Sequence, residues 1–96
     1  MKRNLEQAVT KIDGTDFPER VTLGAVCFAA ATAPLPEDER KGLEEKMALY
    51  RLASRISVGG EMDMSAEDLV LLKDRIGKSI KFIELIGRTI DLLEAP

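Results

Sequence analysis

The run "LGAVCFAAATA", residues 23 to 33, carries no charge. It is about half the length needed to span a bilayer, so it reads as a buried element of a globular fold. Thr22 precedes it and can cap a helix over residues 23–33, its hydroxyl accepting an orphan N–H of the first turn. A helix that is apolar nearly all round is expected to be enclosed by the rest of the chain. The competing reading is that "VTLGAVCF" starts as a short strand pairing with "AVTKI".

The chain has 96 residues, 45% of them hydrophobic and 32% charged. That suits one small globular domain over residues 1–96, with a strand and turn region over 1–20 and a helical core over 21–96. With 3 Phe, 1 Tyr and no Trp, the core must be aliphatic. A net charge of -3 is too mild to name a partner, and the basic stripe that marks nucleic-acid binding is missing. Cys27 is the single cysteine, which excludes an intramolecular disulfide and suits a reducing compartment. The start "MKRNLEQAV" has the charges of a signal peptide but no apolar stretch after them. A cytoplasmic protein without a membrane partner is expected.

Residues 4–12, "NLEQAVTKI", support two readings. Leu5, Ala8, Val9 and Ile12 keep helical spacing, and Asn4 with Gln7 would form a capping box. Yet "AVTKI" runs into "DG", a turn dipeptide between strands. Residues 13–20, "DGTDFPER", read as a loop, with Gly14 free to take positive φ and Pro18 biasing Phe17 towards extended backbone.

Pro34 ends one element and Pro36 suits the first turn of the next. The pattern predicts a helix from Pro36 to about Ser57, with Leu43, Met47 and Tyr50 as one stripe and Leu49, Leu52, Ala53 and Ile56 beside it. "VGG" stops it. Ser65 then caps a further helix, Asp68 reaches back to it, and Met64 and Leu69 stand as a hydrophobic staple. Leu69, Leu72 and Ile76 form its inner stripe. Lys73 and Arg75 lie in its last turn, and Gly77 can end it. The last helix, from about residue 79 to 93, repeats apolar residues at Ile80, Ile83, Ile86, Ile90 and Leu93, with Phe82, Leu85 and Leu92 as a second stripe. The fold class is mainly α, with about four helices and room for a short N-terminal β-hairpin.

Nothing in the chain is arranged for catalysis. Histidine, the commonest general base and transition-metal ligand, is missing. Asp13, Asp16 and Glu19 do not follow the spacing of a calcium loop. Glu44 and Glu45 point to different sides of a helix. The glycines lack the spacing of a phosphate loop. Cys27 has apolar neighbours and no activating base, so it reads as a small core residue. Neither an enzyme activity, a metal nor a cofactor is expected. The apolar width of the last helix exceeds one core stripe and nominates Phe82, Ile83, Ile86 and Ile90 as a partner-binding face, or as the seam of a homodimer. Lys73, Lys78, Lys81 and Arg88 are the candidates for nucleic-acid contact, although Asp74, Glu84 and Asp91 interrupt them.

The ordering of "IDGTDF", "VTLGAVCFAA", "YRLASRI", "MDMSAEDLVLLKDRIGK" and "GRTIDLLE" resembles a group of short accessory proteins of tailed phages and prophages. The resemblance covers nearly the whole chain, and its motifs are folding motifs. That group carries a Pro near the start of the final helix, where this chain reads "KSIKFIEL". The departure bears on the angle and length of that helix. The resemblance implies a small phage accessory protein in the bacterial host cytoplasm, without known catalytic residues. It would bind a host or phage protein, either to inhibit it or to assist particle assembly. It also favours a strand for "AVTKI".

Overall fold

A computed structural model describes residues 1–95. In chain order the elements are β1 (Lys2–Asn4), β2 (Ala8–Thr10), β3 (Asp16–Thr22), α1 (Leu23–Thr32), a 3-10 turn (Pro36–Arg40), α2 (Leu43–Ser57), β4 (Glu61–Asp63), α3 (Ala66–Ser79) and α4 (Ile83–Glu94). The protein is mainly helical, with a small antiparallel β part in two pairs, β1–β4 and β2–β3.

The apolar run forms α1, and α1 touches α2, α3, α4 and β3. Leu23, Val26, Cys27, Ala30 and Ala31 are buried. They join Leu5, Val9, Leu52, Ala53, Ile56, Met62, Met64, Leu72, Ile76 and Leu93 in one aliphatic core. The first three amides of α1 are all satisfied. Leu23 N donates to Gln7 O at 2.9 Å and Gly24 N to Leu5 O at 2.8 Å. Ala25 N donates to Thr22 Oγ1 at 3.2 Å. The turn at residues 5–7 lies so close that a Cβ on Gly24 would sit 3.1 Å from Leu5 O. One expectation needs correction: α1 is not enclosed all round, because Ala25, Phe28, Ala29 and Thr32 reach solvent.

The strand reading of "AVTKI" holds and the helix reading of residues 4–12 does not. Ala8 pairs with Thr22, Val9 with Val21 and Thr10 with Asp16. Only Val9 of β2 is buried, the alternation of a strand with one face on a core. Asp13 Oδ1 accepts from Thr15 N at 3.0 Å and Thr15 Oγ1 at 2.6 Å, and Gly14 takes φ +87. The expected loop over 13–20 is shorter, since β3 begins at Asp16. The jump in register between Val9 and Thr10 throws Phe17, Pro18, Glu19 and Arg20 out of the ladder as a bulge. Pro18 suits that place because it has no N–H to donate. Thr22 is both the last strand residue and the cap of α1, so both readings of "VTLGAVCF" are partly realised.

The helix expected from Pro36 to Ser57 is divided. Pro36–Arg40 is a 3-10 turn, Lys41 and Gly42 are extended, and α2 starts at Leu43. The cause is Asp38, which is turned away from a helical path towards Arg75. Arg75 Nη1 meets Asp38 Oδ1 at 2.8 Å and Nη2 meets Oδ2 at 3.1 Å. The same guanidinium donates to Ala30 O at 2.9 Å and Ala33 O at 2.6 Å. Arg75 therefore caps the C-terminus of α1, not its own helix, supplying the carbonyls that have no intrahelical partner.

The start of α3 forms as expected. Asp68 N donates to Ser65 Oγ at 3.1 Å and Ser65 N to Asp68 Oδ2 at 3.0 Å. Met64 and Leu69 both pack on the core. Gly77 does not end α3, which continues to Ser79. It stops where Ile80 turns extended and becomes half-buried against the core. The last helix is accordingly shorter than the expected 79–93 and begins at Ile83. Arg3 Nε donates to Leu93 O at 2.8 Å from a buried position, which ties β1 to the end of α4. The β1–β4 pair, Lys2 to Asp63 and Asn4 to Glu61, has no counterpart in the sequence reading.

Arg75 has a side chain only 3% exposed, and its removal leaves the Ala30 and Ala33 carbonyls without this donor and Asp38 without its guanidinium partner. Arg75→Met is expected to lower unfolding free energy by about 3 kcal/mol, read from urea denaturation. The Arg75 guanidinium holds the Asp38 carboxyl well below its ordinary value of 3.8. Below that value the unfolded chain takes up a proton that the folded chain refuses, so stability falls as pH falls. The Asp38 contribution is complete above its unfolded value and is lost on acidification. Asp38→Asn should therefore flatten the decline of the urea midpoint between about pH 5 and about pH 2. Asp13, Asp63 and Asp68, also lowered, leave a residual slope.

Candidate functional site

The final helix gives up part of its apolar face to the fold. Thr89 and Leu93 are fully buried, and Leu85, Ile86, Ile90 and Leu92 are half-buried against the core. Of the four residues nominated for a partner, Ile86 and Ile90 thus serve packing first. Phe82 and Ile83 point outward, 56% and 84% exposed.

These two sit beside the β2–β3 hairpin. Ile12 N donates to Glu84 Oε2 at 2.8 Å, and Arg88 donates to Thr10 O at 3.1 Å and Thr10 Oγ1 at 3.2 Å. These bonds fix the first half of α4 against the end of β2. The ring of Phe82 meets that of Phe17 edge to face, centroids 5.8 Å apart, the favoured geometry for aromatic pairs. Phe17 is available because the bulge carries it out of the ladder. Between hairpin and helix runs an open groove of about 530 Å³ lined by Lys11, Phe17, Pro18, Val21, Phe82 and Leu85. Ile12, 77% exposed, stands at the same junction.

Ile12, Phe17 and Pro18 were missed as site residues by sequence reasoning. The signal was "IDGTDF": a tight turn that leaves an apolar residue on each side of it with nothing else to cover them.

The basic candidates do not converge. Lys73 pairs with Glu94 at 3.5 Å, and Lys78 with Glu37 at 3.0 Å and Asp74 at 3.1 Å. Those two carboxylates raise the Lys78 ammonium above its ordinary value. Arg88 is spent on Thr10. Among the described residues, only Lys81 of the four has no ion-pair or hydrogen-bond partner.

Chemical equipment is sparse. Cys27 is fully buried in the core, and burial pushes its thiol up to about 12. A thiolate nucleophile needs the opposite shift. Asp13 is engaged by Thr15. Among the described residues, no three His, Cys, Asp or Glu side chains cluster as metal ligands, and no helix is long and apolar enough to cross a membrane. Comparison with protein-family models, curated proteins and solved structures finds no match.

The burial of Cys27 is open to a direct check. A disulfide reagent should react with the native protein only as fast as the protein unfolds, and at once in denaturant. Immediate native reaction would show that the interior of α1 is accessible.

Proposed function

We propose that this protein is a non-catalytic binding module that docks another protein in the groove between the β2–β3 hairpin and α4. The carrying observation is the concentration of outward apolar side chains there. Phe82, more than half exposed, lines the groove with Phe17, Val21 and Leu85, and its chain neighbour Ile83 and Ile12, next to the lining Lys11, are exposed beside it. Single exposed apolar residues are ordinary, but a contiguous group around a groove marks a contact surface. Aromatic anchors such as Phe17 and Phe82 supply most of the energy in such contacts.

The resemblance to short phage accessory proteins supports a host or phage protein as the partner, met in the bacterial cytoplasm. Inhibition of a host factor and assistance in particle assembly both fit a protein that acts by occupying a surface. Nucleic-acid binding through Lys73, Lys78, Lys81 and Arg88 is the weaker reading, because three of the four are already committed within the chain.

The test compares captured proteins from bacterial lysate between the wild type, Phe82→Ser/Ile83→Lys, and a control, Val70→Lys, altered at a 66% exposed position on α3. A protein retained by wild type and control after nuclease, and reduced about tenfold or more by the groove variant, supports the proposal. Unchanged capture by the groove variant overturns it. Loss of all captured material on nuclease treatment moves the function to nucleic acid.

A further inference from the structure

A second apolar surface lies on α2, away from the groove. Leu49, Leu52, Ala53 and Ile56 face the core. Leu43, Met47 and Tyr50 follow one another at i, i+4 and i+7, which sets them on a stripe about 130° round the helix from the core face. The fold buries only the first of these two stripes. Leu43 is 76% exposed and Tyr50 63% exposed, with Met47 half-buried between them. Among the described residues, nothing covers Leu43 and Tyr50.

The charges beside this stripe are arranged with a direction. Glu44 and Arg51 lie on the same flank of it, two helical turns apart. Both are exposed. Neither has an ion-pair partner among the described residues, whereas Arg55 further along is bound to Asp68. The first turn of α2 is acidic, with Glu44 and Glu45, and the last turn is basic, with Arg55. In two antiparallel helices the same flanks face each other. A twofold axis between Met47 and Tyr50 then sets each Met47 against Tyr50 of the other copy. It also brings each Glu44 alongside Arg51 of the other copy, so one unpaired acid and one unpaired base are satisfied twice. The helix dipoles run in opposite directions, which adds to the attraction.

We infer that α2 is the seam of a homodimer, pairing antiparallel with α2 of a second copy through Leu43, Met47 and Tyr50 and two reciprocal Glu44–Arg51 ion pairs. A single helix face buries less than a standard interface, so the dimer is a weak one. The seam differs from the α4 seam that the sequence suggests. It also leaves the groove open on each copy, so it stands whether or not the groove binds a partner.

Sedimentation equilibrium up to about 0.5 mM chain tests it, since weak interfaces of this size assemble in that range. The wild type should self-associate. Met47→Glu/Tyr50→Glu should be monomeric throughout. Glu44→Arg and Arg51→Glu should each weaken association about tenfold, and the two together should restore it, because the reversed charges again meet their opposites. Phe82→Ser/Ile83→Lys should associate like the wild type. Thermal unfolding by circular dichroism should be little changed in all of them, the altered groups being outside the core. A wild type that stays monomeric at the highest concentration overturns the inference. So does a dimer indifferent to Met47→Glu/Tyr50→Glu, or one that the double charge reversal fails to restore.

Discussion

Arg75 holds the fold together at the point where the chain is least able to help itself. The central helix α1 has no acidic residue in its first turn and no basic residue in its last. Thr22 caps one of its first amides, and other parts of the chain complete its ends. At its start, the backbone of Leu5 and Gln7 accepts the first amides. At its end, the guanidinium of Arg75 takes the carbonyls of Ala30 and Ala33. That placement forces the rest. Asp38 must come to the same guanidinium to balance its charge, so the 33–42 segment cannot join α2 in one continuous helix. Asp38 also receives Lys41 and Leu35 N, which fixes the turn. A buried charge is tolerable here because the guanidinium is paired with a carboxylate and makes four hydrogen bonds. Arg3 repeats the device on α4, from β1 to Leu93 O.

This way of closing the core determines which surfaces stay free. Most of the basic residues near the C-terminus are drawn into the chain's own contacts. Apolar groups, in contrast, are in surplus. The core has a fixed volume and accepts one stripe from each of α2, α3 and α4. A second stripe on α2 and the leading end of α4 have nowhere inside to go. Their outward position follows from the width of the apolar pattern rather than from any special site.

What could be read in advance depended on sequence distance. The Ser65–Asp68 box, the "DG" turn and the Thr22 cap are decided within three or four residues, and all three form as written. The split of the Pro36–Ser57 helix depends on Asp38 meeting Arg75, 37 positions away, and nothing local announces it. Arg75 itself looked like a last-turn cation of α3, because its true partners lie on α1. The β1–β4 pair joins three-residue strands 57 to 61 positions apart, too short to carry a pattern. Gly77 looked like a terminus but is tolerated, because packing of Ile76 and Ile80 outweighs its helix penalty. For the groove, the apolar excess of α4 was visible at Phe82 and Ile83. Its other wall was not, because Phe17 reaches the surface only through a bulge whose register the sequence does not reveal.

The most direct measurement of this organisation is native-state amide hydrogen exchange across low denaturant, residue by residue. If α1 is the element that the other parts enclose and cap, the amides of Ala30 and Ala31 should exchange only through global unfolding. Those of α4 and the hairpin, held at the periphery, should open at lower free energy. Exchange of Ala30 and Ala31 through a sub-global opening, while α2 or α4 stays protected, would contradict the central place given to α1.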